Sequence, residues 1–197
     1  MPVLRYLSHP QVTIDADMPV TEWPLNNVGQ ARIAALCVVA PQMLADTTAI
    51  YSSPERKARD SAAPLAAALG LPVQIAGDSS ENDRSSTGFL PPKAFEVMAD
   101  QFFAHPCESV CGWERAIDAQ ARIVSCVERI LTDSPAGDLL LVGHGAVGTL
   151  LFCAFSEKSI SRAHDQGSGG GNMMVFDRDS RMPLQNWKSI EVVTQGF

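Results

Sequence analysis

The chain has 197 residues, of which 46% are hydrophobic and 19% are charged, and its formal net charge is −7. This length and composition suffice for one hydrophobic core, so we expect a single domain over residues 1–197. The negative charge argues against a nucleic-acid partner, because binding to a phosphate backbone requires clustered Lys and Arg.

The start of the chain and its cysteines bear on the compartment. The first residues lack the apolar core of a signal peptide, and no apolar run approaches the length of a membrane span. Five cysteines, an odd number, fit reduced thiols better than a disulfide framework. We therefore expect a cytoplasmic protein with no membrane partner. His105, Cys107 and Cys111 offer three zinc ligands without a fourth, so we predict neither a metal nor another cofactor.

The first predicted element is a strand, Val3–Ser8, that runs directly into His9. The next is a helix that Asn26 or Asn27 can cap and that Pro41 closes. The polar segment between these two elements has no sustained period, so we predict a loop that passes near the end of the strand.

A short predicted strand, Thr48–Ser52, leads into a second helix. Ser53 is a plausible N-cap, with Pro54 at the first helical position. Arg56 and Lys57 would then lie in the first turn, beside the carboxyl end of the strand. Two cations at a helix N-terminus can bind a phosphate, although a solvated basic face is the alternative interpretation.

Leu71–Ala76 is a third candidate strand, and the polar segment Gly77–Pro92 follows it. This segment has too few apolar residues to bury itself, and it concentrates Glu81, Asp83 and Arg84. It is either an acidic surface loop or a lid that supplies a general acid to a neighbouring site.

Two further helices are predicted over Ala94–Phe103 and Trp113–Leu131, because apolar residues recur there at helical spacing. The strand Asp138–Val142 follows, and the next helix begins near Ala146. Between that strand and that helix lies the sequence Gly-His-Gly, in which glycines on both sides of His144 permit a sharp turn.

His144 is thereby placed at the carboxyl end of a strand, where open α/β sheets bind their ligands. His9 also follows a strand directly, and two such histidines suggest one shared site. A buried histidine that satisfies a hydrogen bond in the core is the alternative for either residue.

The end of the chain begins with a glycine-rich flexible turn, residues 167–171, and continues with a strand over Met173–Phe176. An edge strand is predicted over Trp187–Val193. The alternation of strands and helices predicts a three-layer α/β/α sandwich with a central, mostly parallel sheet and the site at the carboxyl ends of its strands.

The chain resembles the histidine phosphatase superfamily, the phosphoglycerate-mutase-like proteins, over nearly its whole length. The resemblance rests on motifs that appear in the family's order. They are the strand ending in His9, the PLxxxGQ-like segment Pro24–Gln30, the SSPxxKAxxSA helix start Ser52–Ala62, the acidic loop near Glu81 and the strand ending in GHG. The resemblance implies the phosphoglycerate-mutase-like fold and phosphoryl transfer without a metal.

The resemblance also implies roles for individual residues. His9 would be the nucleophile that becomes a phosphohistidine, and His144 would bind the phosphoryl oxygens. Glu81 would protonate the leaving alcohol, with Asp83 as the second candidate. The residues implied in substrate binding are Ser8, Arg56, Lys57, Asp83, Arg84 and Gly145.

This chain departs from the family pattern at two places. Most members have Arg before and Gly after the nucleophilic His, where this chain has Ser8 and Pro10. Lys57 replaces an expected Arg, which keeps the charge and loses the two-pronged geometry. Two functions therefore remain open. One is a phosphatase acting on a small phosphorylated substrate or a phosphoprotein. The other is a weakened member that binds a phosphorylated metabolite or a protein partner. The oligomeric state is left open.

Overall fold

The strands of the computed structural model, which describes residues 1–197, form one six-stranded sheet in the order β3-β2-β4-β1-β5-β6. Strands β3, β2, β4 and β1 are parallel, whereas β5 and β6 run antiparallel at one edge. The predicted mostly parallel sheet is therefore confirmed. The strands span β1 Val3–Ser8, β2 Thr47–Ser52, β3 Val73–Ile75, β4 Asp138–Gly143, β5 Asn172–Asp177 and β6 Pro183–Ser189.

Helices cover both faces of the sheet, as the alternation of side chains along a strand requires. In β1, Leu4 and Tyr6 belong to the core cluster that includes residues of α4 and α5, whereas Leu7 packs with residues of α1 and α2. The three-layer α/β/α architecture is therefore confirmed. The helices are α1 Asn27–Met43, α2 Arg56–Leu69, α3 Pro92–Ala104, α4 Ala116–Asp133, α5 Gly145–Phe155 and α6 Ile190–Val193. None combines the length and the apolar composition needed to cross a bilayer.

Two predicted helix boundaries in the first half of the chain are wrong. Asn26 caps α1 as expected, accepting a hydrogen bond from the Gly29 amide at 2.9 Å, but the helix passes through Pro41. Proline has no N–H to donate, so one hydrogen bond is missing from the last turn, and α1 ends two residues later at Met43. Helix α2 begins at Arg56, and Ser53 does not cap it. The Ser53 hydroxyl is consequently available to the site.

Two predictions in the second half are displaced along the chain. Helix α4 begins at Ala116, and Trp113 precedes it as a buried residue after a 3-10 turn. The antiparallel edge strand is β6, Pro183–Ser189, whereas the end of the predicted strand forms the short helix α6. The tail has too few apolar residues to distinguish the two-residue period of a strand from the 3.6-residue period of a helix, so the sequence does not show where the strand ends and the helix begins.

The sheet order explains how distant segments meet. Strands β2, β4 and β1 are adjacent and parallel, so their carboxyl ends lie at one edge of the sheet. The residues that immediately follow these three ends are Ser53, His144 and His9. The fold therefore assembles the candidate site from segments at the beginning, the first third and the last third of the chain.

Candidate active site

The two strand-terminal histidines lie side by side. The ring centroids of His9 and His144 are 5.2 Å apart, with an angle of 69° between the ring planes. His9 continues β1 and His144 continues β4, and these strands pair directly in the sheet. The prediction that the two residues share one site thus agrees with the geometry.

The hydrogen bond of His9 defines its tautomer. Its Nδ1 lies 2.8 Å from the carbonyl oxygen of Pro10. Because a carbonyl can only accept, Nδ1 carries the proton and Nε2 keeps its lone pair. Burial, the neighbouring His144 and the charge of Lys57 lower the pKa of His9 to about 3. The imidazole is therefore neutral at physiological pH, and Nε2 carries an unprotonated lone pair.

The backbone and ring of His144 are held from two sides. Its amide donates to the Tyr6 hydroxyl, and that hydroxyl donates to the His144 carbonyl oxygen, each at 3.0 Å. Its Nε2 lies 2.7 Å from the Ser53 Oγ and 3.5 Å from the Glu55 Oε1, while its Nδ1 has no hydrogen-bond partner. Burial, followed by the charge of Lys57, holds the pKa of His144 well below its usual value.

The glycine-rich segment packs against the backbone of His9 rather than standing free. The Gly171 amide donates to the His9 carbonyl oxygen at 3.1 Å. At Gly170, with a φ of 62°, a Cβ atom would lie 2.2 Å from that same oxygen. The segment predicted as a flexible turn therefore fixes the position of His9, and only glycine fits at position 170.

The carboxyl group of Glu81 lies over the first turn of α5. It accepts hydrogen bonds from the amides of Ala146 at 3.2 Å and Val147 at 3.0 Å. Arg122 supports this segment by donating to the Glu81 carbonyl oxygen at 3.2 Å. Burial and the nearby Glu55 raise the pKa of Glu81, so the side chain remains protonated to a higher pH than an exposed Glu.

Asp83 has a different environment from Glu81. Its side chain is exposed and accepts from the Ser85 amide at 2.8 Å, which lowers its pKa. Glu81 lines the same cavity as His9, whereas Asp83 lines only a neighbouring cavity. The geometry therefore favours Glu81 over Asp83 as a proton donor near His9.

Lys57 is buried in an ion pair that the sequence did not reveal. Its Nζ lies 2.5 Å from the Glu55 Oε2 and donates to the Val20 carbonyl oxygen at 2.9 Å. The Lys57 and Glu55 side chains are only 3% and 5% exposed. Glu55 reads as ordinary helix-start chemistry in the sequence, and no local pattern signals that its carboxylate enters the site.

Two cavities meet at the segment that contains Glu81, Asn82 and Arg84. We call the cavity lined by His9, of about 210 Å³, the inner cavity. The cavity lined by Lys57, of about 390 Å³, is the outer cavity. Arg84 borders both, and its guanidinium lies 4.8 Å from the centroid of the Phe95 ring. The apolar part of the inner cavity is formed by Phe95, Ala99, Phe102, Phe103, Trp113 and Ala146.

Comparison with known proteins identifies the family. The family profile described as Histidine phosphatase superfamily (branch 1) matches residues 17–186. The chain belongs to the histidine phosphatase superfamily. The matched range begins after His9, so the divergent Ser8-His9-Pro10 segment lies outside it. Membership in this superfamily supports a phosphatase-type or mutase-type enzyme.

Solved structures of this superfamily share the fold at low identity. Mycobacterial glucosyl-3-phosphoglycerate phosphatase with inorganic phosphate has a TM-score of 0.78 and 19% identity, covering 97% of this chain and 99% of its own. Bacillus stearothermophilus YhfR has a TM-score of 0.77 and 19% identity, covering 95% and 96%. A putative alpha-ribazole-5'-P phosphatase from Escherichia coli has a TM-score of 0.74 and 14% identity, covering 96% and 98%. No match was found among curated protein sequences.

Within this histidine phosphatase fold, the side chains of two predicted substrate-binding residues contact partners other than the two histidines. The Arg56 side chain is 44% exposed and lies 3.8 Å from Asp60. The buried Ser8 hydroxyl donates to the Gln166 Oε1 at 2.5 Å. Gly145, in contrast, borders the inner cavity. Arg5 forms an ion pair with Asp138 at 2.5 Å, so it does not take the place of the arginine missing before His9.

The zinc alternative has no support from the arrangement of the side chains. Cys107 and Cys111 are exposed free thiols. The His105 Nδ1 lies 3.9 Å from Glu108, in a contact on the surface. No group of three or more His, Cys, Asp or Glu side chains is arranged to hold a metal ion.

Proposed function

We propose that this protein is a metal-independent histidine phosphatase that hydrolyses a phosphomonoester through a phosphohistidine on His9. The observation that carries the proposal is the lone pair on the His9 Nε2, fixed by the bond from Nδ1 to the Pro10 carbonyl oxygen. A buried carboxyl with a raised pKa, Glu81, borders the same cavity. A nucleophile and a proton donor around one cavity are the two groups that such a reaction requires.

In the first step, the His9 Nε2 attacks phosphorus, and the bond from phosphorus to the ester oxygen breaks. Glu81 gives its proton to that oxygen, so the alcohol leaves neutral. The charge on the phosphoryl oxygens is stabilised by Arg84, by Lys57 and by hydrogen bonding to His144. A phosphohistidine and a Glu81 carboxylate remain.

In the second step, a water molecule attacks the phosphohistidine. The Glu81 carboxylate takes a proton from that water, and the bond from phosphorus to Nε2 breaks. Phosphate then leaves, His9 again has its lone pair, and Glu81 is again protonated. Each group thereby returns to its starting state, and no additional reactant is consumed.

The lining of the inner cavity supports a preference within the class of phosphomonoesters. Beside His9 it presents aromatic side chains, of which Phe95 is partly exposed, while Phe102 and Trp113 are buried. We expect the alcohol part of a good substrate to be apolar. Phenethyl phosphate should exceed ethyl phosphate in kcat/KM by roughly ten- to a hundredfold, since burial of a phenyl group gains about 1.5–3 kcal/mol. Equal kcat/KM values for the two substrates would contradict the predicted preference for an apolar alcohol.

A second function is favoured by one specific observation. The charge of Lys57 is balanced by Glu55, so Lys57 offers a phosphoryl group less net positive charge than an unpaired lysine would. Under this second function, the protein binds a phosphorylated metabolite or a protein partner without turnover. The two candidates differ in whether a covalent phosphohistidine forms.

The test compares wild-type protein with His9→Ala on p-nitrophenyl phosphate. We expect wild type to hydrolyse the ester, to show phosphorylated His9 by mass spectrometry after an alkaline quench, and to lose activity at least about a thousandfold on substitution. The exposed His105→Ala serves as the matched control. Equal rates for wild type and His9→Ala would reject the proposed nucleophile. Ligand binding with neither turnover nor phosphohistidine would select the second function.

A further inference from the structure

Glu55 is a buried carboxylate at the centre of the site. Its Oε1 lies 3.5 Å from the His144 Nε2 and accepts a hydrogen bond from the Glu81 amide at 2.8 Å. Its Oε2 lies 2.5 Å from the Lys57 Nζ. The side chain therefore connects the histidine pair, the acidic segment and the buried lysine.

The partners of Glu55 are those that a bound phosphoryl group would need. Lys57 has three N–H donors, and it already contacts Glu55 and the Val20 carbonyl oxygen. The Ser53 hydroxyl, 2.7 Å from the His144 Nε2, lies beside the same carboxylate. Glu55 and Lys57 both line the outer cavity, so an anion that enters there meets a lysine whose charge is neutralised and a negative charge that belongs to the protein itself.

We propose that Glu55 is a specificity-determining residue that competes with the phosphoryl group for Lys57 and thereby weakens the binding of doubly charged phosphate. This inference rests on the proposed function in one respect, that the phosphoryl group binds between His9 and His144. The site then favours a singly charged phosphoryl group over a dianion. It also releases inorganic phosphate readily, because the carboxylate reclaims Lys57 when phosphate leaves.

The selectivity follows from burial. Two like charges in a partly desolvated site repel each other strongly, whereas the same charges at the surface would be screened. The Glu55 and Lys57 side chains are 5% and 3% exposed, and the His144 side chain is fully buried. Each additional negative charge on the ligand therefore increases the repulsion from Glu55.

The test measures binding of inorganic phosphate by titration calorimetry at pH 8 and fixed ionic strength. We expect Glu55→Gln, which keeps the shape of the side chain and removes its charge, to lower the Kd for phosphate by about tenfold or more. Glu55→Asp retains the charge and should stay within about threefold of wild type. Asp118→Asn, an equal charge change at an exposed ion pair with Arg115, should leave the Kd unchanged.

The double variant Glu55→Gln/Lys57→Met separates competition for Lys57 from a general effect of the net charge on phosphate binding. If Lys57 is the disputed partner, this variant loses the gain in affinity. A Glu55→Gln variant that is folded by circular dichroism and binds phosphate no more tightly than wild type overturns the proposal. So does an equal gain in Asp118→Asn.

A measurement on wild-type protein keeps the proposal testable if Glu55→Gln does not fold. At pH 8, dimethyl phosphate, which is singly charged, should bind at least as tightly as inorganic phosphate. A preference of more than about tenfold for the dianion would contradict the role of Glu55. None of these measurements needs turnover, so an absence of hydrolysis rejects the proposed function while the binding results decide the inference separately.

Discussion

The two ends of the site are built in different ways. At the histidine end, which comprises His9 and His144, the positions are set by strand ends and backbone hydrogen bonds. At the lysine end, which comprises residues 53–57, they are set by contacts among charged side chains, above all Glu55 with Lys57. The histidine end places its rings as one shared site requires, whereas the lysine end carries a carboxylate that opposes anion binding.

This difference teaches that reacting geometry and charge balance can change independently. Substitutions at Lys57 alter the charge of the site and leave the main-chain contacts of His9 and His144 in place. The ring of His144 also contacts Ser53 and Glu55, so only those two side chains of the lysine end bear directly on its position. A side chain added where the backbone is closely packed at the histidine end should lower both the stability and the activity. The following predictions separate the two ends, from the largest expected effect to the smallest.

Removal of the buried cation tests the lysine end. Lys57→Met leaves the Glu55 carboxylate buried without its partner, and we expect a loss of about 3–5 kcal/mol in the free energy of unfolding. Urea denaturation followed by circular dichroism measures it. The variant Glu55→Gln/Lys57→Met removes both charges and should recover most of that loss. If the double variant is as unstable as Lys57→Met, the pair is not the source of the effect.

A side chain introduced at Gly170 tests the histidine end. At Gly170, alanine requires a left-handed conformation and places its Cβ against the His9 carbonyl oxygen. We expect Gly170→Ala to lower the free energy of unfolding by about 2–4 kcal/mol. Gly167→Ala is the matched control, because a Cβ there meets nothing within 4 Å. Similar stabilities of the two variants would show that the glycine run does not hold His9.

Removal of the proposed acid tests the segment between the two ends. Glu81→Gln should lower kcat about a hundredfold for an alkyl phosphate, whose alkoxide needs a proton, and much less for p-nitrophenyl phosphate. Since the pKa of Glu81 is raised, wild-type activity on the alkyl phosphate should fall as pH rises through that pKa. The same alkaline fall should be absent in Glu81→Gln. Equal slowing of both substrates would instead favour Asp83 or the substrate as the acid.

The smallest expected effect is a pH dependence of stability at the histidine end. The pKa of His9 is about 3 in the folded chain, below the value of about 6.5 expected after unfolding, so the unfolded chain binds more protons between these values. Stability should therefore fall as pH decreases from 6.5. Between pH 7 and pH 5 this linkage amounts to about 2 kcal/mol, so His9→Asn should lose about 4–8 °C less in Tm than wild type.

The exposed His105 provides the control for that experiment. His105→Asn should follow the wild-type dependence of Tm on pH, because its side chain is 47% exposed and lies 3.9 Å from the exposed Glu108. If His9→Asn and His105→Asn respond alike, burial of His9 does not contribute to the acid sensitivity of the protein.

Features with strong local signals were predictable from the sequence. The apolar run before Gly143 and the strand before His9 fixed two neighbouring parallel strands and hence the meeting of the two histidines. The alternation of strands and helices predicted the three layers, because each of these elements also has a strong local pattern. Helix ends were less predictable, because Pro41 is tolerated in a last turn and Ser53 contacts His144 instead of a helix amide.

Features that depend on contacts between distant segments were not predictable. Glu55 follows Ser53-Pro54 in a favourable helix start, and only the tertiary structure shows its carboxylate between Lys57 and His144. The support of the Glu81 segment by Arg122 is likewise a contact across 41 positions in sequence. The glycine run gave a local signal of unusual backbone, but the partner of that backbone, His9, is remote in the chain.

The Tyr6 hydroxyl joins the two strands that carry the histidines. It projects from β1 and bonds both backbone polar groups of His144, one position beyond the last paired residue of β4. The Tyr6 hydroxyl thus ties the backbone of His144 to the strand that carries His9. An exchange of residues 77–92 would leave these two bonds in place while replacing Glu81, the proposed acid, so the histidine spacing and the proton donor can evolve separately.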